Sequence, residues 1–278
     1  MHKSFILLNR HRDRIFGDIH LPETAHNAPV IVICHGFKGF KGWGGFPWAA
    51  EHFALKGFVA VRFNFSLNGV EEEFGQFTAL DRFARNTISR ELDDLADIID
   101  AISAGSLTEE PLDDGRIAVL GHSLGGGVAV VHASEDARIR AAVAWAGVAD
   151  FDRWGKKTKE QWRREGRLEI QNARTGQLMP MNVDMLDDLE ANAGRFDIPA
   201  AVARLEVPLL VVHGEQDVSV PIAEGERNAA SARTKGSALV RIPNADHTFG
   251  VTHPFEGPTA AFRDVVEKTS AWLWKVLS

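Results

Sequence analysis

IAVLGHSLGGG, residues Ile117 to Gly127, is an apolar run that meets a glycine-flanked serine and resumes as a second apolar run with no linker between. The spacing predicts a buried strand over Arg116 to Leu120 and a buried helix face over Val128 to Ala133, with Gly121-His122-Ser123-Leu124-Gly125 as the turn. A strand that stops abruptly against a helix strains the residue at the tip and lifts its side chain above the sheet. Glycines two positions to either side of the tip remove the side chains that would collide where strand and helix fold back. The tip residue is Ser123, so the turn presents a hydroxyl placed to act as a nucleophile. A G-x-S-x-G string arises by chance in about one chain in ten of this length. The argument therefore rests on the strand and helix around it.

A serine hydroxyl becomes nucleophilic beside a base, and the base needs an acid to hold its tautomer. For this turn geometry the order along the chain is Ser, Asp, His. Pro208 to Asp217 reads PLLVVHGEQD, an apolar strand that breaks at His213-Gly214 and delivers Asp217 to the following loop. Ala238 to Ile242 is a further short strand, and Pro243-Asn244-Ala245-Asp246-His247 places His247 after it. Asp217 is the candidate acid and His247 the candidate base. Asp150 and Asp152, after the apolar run Ala141 to Val148, are alternative acids, and His253 is an alternative base. Asp246, adjacent to the base, is expected to point away from it.

Attack on a carbonyl builds charge on its oxygen, which two preset backbone N–H groups stabilise by about 3 to 4 kcal/mol each. Leu124, next after the nucleophile, supplies one. The apolar run Val30 to Cys34 empties into His35-Gly36-Phe37-Lys38-Gly39, and Phe37 N–H is the expected second donor, with His35 bracing the loop by hydrogen bonding.

With these parts in place the chain resembles the α/β-hydrolase family, and within it the small esterases with an HGFxG oxyanion loop, such as cinnamoyl or feruloyl esterases and their dienelactone-hydrolase-like relatives. The resemblance spans most of the chain and rests on HGFKG at 35–39, GHSLGG at 121–126, HGEQDVSVP at 213–221 and ADHTF at 245–249. It implies a mostly parallel sheet of about eight strands with helices on both faces and a small helical cap, and it carries the triad roles to Ser123, Asp217 and His247. The chain departs from many relatives after the strand Phe58 to Phe63. Where they have an Arg-Gly-x-Gly-x-Ser turn it has Asn64-Phe65-Ser66-Leu67-Asn68-Gly69 and then Glu71-Glu72-Glu73, in a loop that borders the site in the family.

The 278 residues, 45% of them hydrophobic, fit one α/β domain with an insertion. Strands and helices alternate, as a parallel sheet covered on both faces requires. Lys3 to Asn9 and Arg14 to Leu21 open it as a hairpin, Trp48 to Lys56 is a helix, and Thr87 to Ala104 a longer one with an isoleucine and leucine stripe. The alternation stops between Phe151 and Leu205, where relatives carry a cap, so 1–150 and 206–278 are read as the hydrolase core and 151–205 as a lid. Lys159 to Glu165, Asp184 to Ala193 and Pro199 to Arg204 are its expected helices. Phe40, Trp43, Phe65, His122, Met181 and Met185 are candidates for the substrate wall. For the methionines and the aromatic loop Phe37 to Trp48, packing between cap and core is an equal reading. The basic stretch Lys156, Lys157, Lys159, Arg163 and Arg164 reads as a solvated helix face.

A formal charge of −7 argues against a nucleic-acid partner. Loop 37–48 lacks the Gly-Lys-Ser/Thr ending of a phosphate loop, no G-x-G-x-x-G follows a strand and no H-E-x-x-H occurs, so no cofactor and no metal are expected. The single cysteine, Cys34, reads as core. Phe5 to Leu8 is too short an apolar stretch for a signal peptide or a membrane span, so a cytoplasmic protein without a membrane partner is expected. The sequence leaves a homo-oligomer open.

These readings point to a serine carboxylesterase acting on small acyl or aromatic esters. A peptidase or amidase could use the same triad, and Glu71 to Glu73 could then hold a substrate amine. Prolyl-oligopeptidase relatives usually carry a large propeller, for which this length leaves no room. A non-catalytic binding protein of the same fold, a perhydrolase and an acyltransferase are further alternatives.

Overall fold

The computed structural model of the chain describes residues 1–24, 26–71 and 75–278. Eight strands form one sheet: β1 (His2–Leu8), β2 (Arg14–His20), β3 (Pro29–Cys34), β4 (Val59–Phe63), β5 (Asp113–His122), β6 (Ile139–Trp145), β9 (Leu209–Gly214) and β10 (Ala238–Ile242). Their order across the sheet is β1-β2-β4-β3-β5-β6-β9-β10. The opening hairpin β1–β2 is antiparallel, as is the β2–β4 pair, and every pairing from β4 to β10 is parallel. The chain steps from β3 to β4 on one side and then crosses to β5 on the other. In such sheets the crevice beyond the strand ends at this reversal is where ligands bind.

Residues along each central strand divide between two cores with the strand period of two. In β3, Val30, Val32 and Cys34 face one core while Ile31 and Ile33 face the other, and in β5 Ile117 and Val119 part from Ala118 and Leu120 in the same way. On the first face lie α3 (Ile88–Ser103) and α4 (Leu124–Ala133); on the second lie α1 (Phe46–Leu55) and α9 (Ala260–Leu277). In α3 the stripe Ile88, Leu92, Leu95, Ile98, Ile99 and Ile102 is buried, and each such side chain contributes about 1.5–3 kcal/mol relative to exposure. Thr87 caps that helix through its hydroxyl, which accepts Arg90 N–H at 3.2 Å. Cys34 is buried, and burial pushes its thiol pKa up, as expected of a core residue. Among the described residues no helix is long and apolar enough to cross a membrane.

Between β6 and β9 the chain forms α5 (Lys156–Glu165), β7 (Arg167–Gln171), β8 (Leu178–Asn182), α6 (Asp184–Ala191) and α7 (Ile198–Arg204). The expected helices are present, and α5 ends on Gly166 in the left-handed conformation, φ 70°. The expectation of a purely helical segment is corrected by the antiparallel hairpin β7–β8. Arg167-Leu168-Glu169-Ile170-Gln171 alternates exposed and half-buried side chains, a strand period too short to stand out in a charged stretch. The basic residues of α5 are tied to nearby carboxylates: Lys159 to Asp152, Arg163 to Asp187 and Glu190, Arg164 to Glu165. This is the solvated face expected. Trp162 is buried beneath it, and its indole N–H reaches the Met181 carbonyl at 2.9 Å.

Candidate active site

Ser123 stands alone between β5 and α4 at φ 57°, ψ −121°, a strained backbone for a residue with a Cβ. Three hydrogen bonds hold it there. Its N–H donates to Trp145 O at 2.9 Å, and its carbonyl accepts from Gly126 N at 3.0 Å and Val148 N at 3.2 Å. A Cβ on Gly121 would overlap the Gly125 carbonyl, so strand and helix can close this tightly only with glycine there. A Cβ on Gly125 would instead strike the His35 carbonyl, so that glycine lets the helix meet the loop after β3.

β9 and β10 are adjacent, and the loops leaving them carry Asp217 and His247. Gln216 N–H donates to Ala245 O at 2.9 Å and ties the loops together. His247 Nδ1 lies 2.7 Å from Asp217 Oδ2, while Asp217 Oδ1 accepts Ser219 N–H at 2.9 Å and Val220 N–H at 2.8 Å. Burial pushes the Asp217 carboxyl up, but hydrogen bonds from His213, His247 and Val220 outweigh it and hold the group below the ordinary carboxylate range. Asp217 is therefore an anion at neutral pH, and His247 Nδ1 carries the proton it receives.

The competing residues are engaged elsewhere. Asp246 Oδ1 caps its own turn, accepting from Thr248 N at 3.0 Å and Gly250 N at 2.7 Å. Asp150 accepts Asp152 N–H at 2.8 Å, Asp152 pairs with Lys159, and His253 Nδ1 accepts Gly44 N–H at 3.1 Å.

Among the described residues no hydrogen bond joins Ser123 Oγ to the His247 ring. The residue before the serine links the two loops instead: His122 Nε2–H donates to the His247 carbonyl at 2.8 Å, with ring centroids 4.7 Å apart. Burial above all, then the neighbouring His247, pushes the pKa of His122 down to about 3, so this ring is neutral. His122, a candidate for the substrate wall, thus has its donor committed to the backbone of His247.

The loop after β3 lies against Ser123, where a Cβ on Gly36 would stand 3.0 Å from its Cβ and 3.5 Å from its Oγ. Phe37 and Leu124 donate their N–H groups to no acceptor among the described residues. His35 braces this loop. Its Nε2 accepts Phe65 N–H at 3.2 Å, which leaves Nδ1–H to donate to Gly36 O at 2.9 Å, and burial holds the ring neutral with a pKa near 4. The loop 64–69 supports it from the next strand end. Asn64 Oδ1 accepts Lys41 N–H at 2.6 Å, Asn68 Nδ2 donates to Gly39 O at 3.3 Å, and the buried Phe65 ring packs edge-on against His35 at 4.9 Å. Sequence reasoning missed this role of residues 64–69.

The other candidate wall residues divide. Trp43 is half-buried and stacks with His253 at 6.3 Å. Phe40 is buried, edge-on to His253 at 5.1 Å and to Phe77 at 6.2 Å. Met181 and Met185 are each 2% exposed and lie in the same buried cluster as Trp162 and Leu186, which is the packing reading of these side chains. Of the three glutamates considered for an amine, Glu71 is exposed and 3.8 Å from Arg82; Glu72 and Glu73 lie outside the described residues.

A parallel sheet with one reversed strand and a serine elbow at its reversal point is an α/β-hydrolase. The chain belongs to the prolyl oligopeptidase family, whose sequence pattern matches residues 45–278. It is 28% identical over 231 residues to an uncharacterized peptidase, YuxL, of Bacillus subtilis, a match covering 81% of this chain and 32% of that one. The chain therefore spans about a third of that relative's length. Among solved structures it is similar to Est1E from Butyrivibrio proteoclasticus with ferulic acid bound, at TM-score 0.72 and 19% identity over 98% of this chain and 99% of that one. It is also similar to the esterase domain of a Rhodothermus marinus protein, at TM-score 0.69 and 18% identity over the whole of both chains. These two likenesses are of fold.

Proposed function

We propose that the chain is a serine carboxylesterase working through an acyl-enzyme. The observation that carries this reading is the Asp217–His247 pair, 2.7 Å apart, set on the loops beside a serine held at φ 57°. With Nδ1–H committed to Asp217, the lone pair of His247 is on Nε2 and takes the Ser123 hydroxyl proton as Oγ attacks the ester carbon. Negative charge moves to the carbonyl oxygen, and the unengaged N–H groups of Phe37 and Leu124 receive it. The imidazolium returns its proton to the leaving alcohol as the ester C–O bond breaks. Neutral again, His247 draws a proton from water as the water oxygen attacks the acyl carbon, then passes it to Ser123 Oγ as the acyl C–O bond breaks, releasing the acid and the free serine. The missing Ser123–His247 hydrogen bond accords with catalytic contacts that tighten only when substrate is bound.

Residues 151–205 are read as a cap over this site. Lys38 Nζ, in the oxyanion loop, donates to Gln171 O of β7 at 3.2 Å, and Gln177 Nε2 donates to Phe77 O at 2.9 Å. The esterase domain and the ferulate complex among the structural relatives favour ester substrates. A second reading, cleavage of peptides or aminoacyl amides, is favoured by the family match itself. Initial rates with p-nitrophenyl butyrate and with aminoacyl p-nitroanilides, for wild type and Ser123→Ala, separate the two. The proposal expects ester turnover that Ser123→Ala abolishes; equal ester rates in both proteins would remove it, and turnover of anilides alone would establish the second reading.

A further inference from the structure

His213 is the penultimate residue of β9, and its side chain is 0% exposed. Its Nε2 lies 2.8 Å from the Val220 carbonyl, which can only accept, so Nε2 carries the proton. The same nitrogen is 3.4 Å from Asp217 Oδ2, the oxygen that receives His247 Nδ1–H. The other ring nitrogen, Nδ1, is buried and has no hydrogen-bond partner among the described residues. It faces Gly225 of α8 (Ile222–Ser231), where a Cβ would stand 2.5 Å from Nδ1, so the helix is packed directly onto the ring. A buried nitrogen without a partner is unfavourable, and an apolar side chain of this size would fill the slot without leaving one.

What the ring does to its neighbours accounts for a histidine here. Val220 is held at both ends, its N–H by Asp217 Oδ1 at 2.8 Å and its carbonyl by His213. The carboxylate, the turn 217–220 and the imidazole therefore form one closed set of contacts. Oδ1 is fixed by the turn, and Oδ2 is flanked by His213 on one side and His247 on the other. We propose that His213 is a positioning residue, setting the rotation of the Asp217 carboxylate so that Oδ2 is presented to His247. The inference rests on the roles given above to Asp217 and His247. It touches no substrate atom, so its effect falls on the rate of proton transfer and leaves substrate binding alone.

His213→Leu removes the donor and keeps the bulk, while His213→Gln places an amide N–H near the position of Nε2. Steady-state hydrolysis of p-nitrophenyl butyrate is measured for both, with folding followed by circular dichroism. His213→Leu is expected to lower kcat at least about tenfold with KM within about twofold, and His213→Gln to restore kcat to within about threefold of wild type. A folded His213→Leu with wild-type kcat overturns the proposal, as does a His213→Gln that loses as much as the leucine variant. Should His213→Leu fail to fold, Gly225→Ala, whose Cβ would stand 2.5 Å from Nδ1, displaces the ring without removing any polar group, and an unchanged kcat there overturns the proposal equally. Ser123→Ala in the same assay separates the two levels. If it keeps activity, the active-site reading falls and takes this proposal with it; if it is inactive while His213→Leu is not, only the role of His213 falls.

Discussion

Asp217→Asn tests the tautomer on which the proposed mechanism turns, because the site offers a carboxamide NH2 no acceptor unless His247 changes tautomer. Oδ1 faces two backbone N–H groups at 2.9 and 2.8 Å, and Oδ2 faces His247 Nδ1 at 2.7 Å and His213 Nε2 at 3.4 Å. All four neighbours are donors. An NH2 in the first position would oppose two N–H groups that cannot change, at a cost of about 1–3 kcal/mol for each buried donor left unsatisfied. In the second position it opposes His247, whose proton can move from Nδ1 to Nε2 so that Nδ1 accepts. The second arrangement wins, and it leaves Nε2 with a hydrogen where the mechanism needs a lone pair. We expect kcat for p-nitrophenyl butyrate to fall about 10³–10⁴-fold, equivalent to ~4–5.5 kcal/mol of barrier, with KM little changed. Stability should fall too, with a definite pH signature. The folded-state pKa of Asp217 is depressed, so its contribution is present above the unfolded value of about 3.9 and lost as pH falls below it. The difference in urea midpoint between wild type and variant should therefore be full at pH 7 and shrink towards pH 3. A folded Asp217→Asn enzyme within about tenfold of wild-type kcat would refute the claim that Asp217 sets the tautomer of His247.

Two other substitutions test separate links. Glu91 is buried in the first turn of α3 with Oε1 accepting Asn86 Nδ2–H at 2.7 Å and Oε2 unpartnered among the described residues, and burial pushes its pKa up to about 8. A raised carboxyl holds its proton longer in the folded state, so stability is lost as pH rises from the unfolded value of about 4.3 to the folded one; Glu91→Gln should gain on the order of a few kcal/mol at pH 9 and little at pH 4. An equal gain at both pH values, read by urea denaturation, would show that charge is not the cause. His122→Phe keeps the ring against Phe46, 6.0 Å away, but removes the 2.8 Å bond to the His247 carbonyl. It should lower kcat about tenfold with the fold intact, and unchanged kinetics would show that the carbonyl needs no such anchor.

The central strands, the elbow and the Asp217–His247 pairing are legible in the sequence because backbone collisions and strand ends punctuate them. Gly121 and Gly125 mark places where any Cβ overlaps a carbonyl, and Asp217 and His247 follow apolar runs that end as neighbouring strands. The hairpin β7–β8 is not legible. Leu178-Met179-Pro180-Met181-Asn182 has no apolar alternation and contains a proline. The strand lies beside α2 (Leu80–Ala84), a helix of 5 residues that leaves almost no periodic trace. The methionines show the limit of composition, since the same flexible side chain suits an acyl pocket and a packed seam, and only burial distinguishes them.

Residues 64–69 teach the most, because they depart from the family pattern in a loop that borders the site, which reads naturally as a change of substrate. Their contacts run the other way. Phe65 N–H, Asn64 Oδ1 and Asn68 Nδ2 all engage the segment 35–41, across sequence separations of 30, 23 and 29 residues, so no local pattern could announce them. The buried, neutral His35 ring has one acceptor nitrogen, and the loop supplies its backbone donor from Phe65. The Phe37 amide sits two residues beyond that ring, so the segment that breaks the family pattern braces the loop carrying the proposed oxyanion donor. A changed motif beside the elbow serine can therefore record a different way of holding the same geometry.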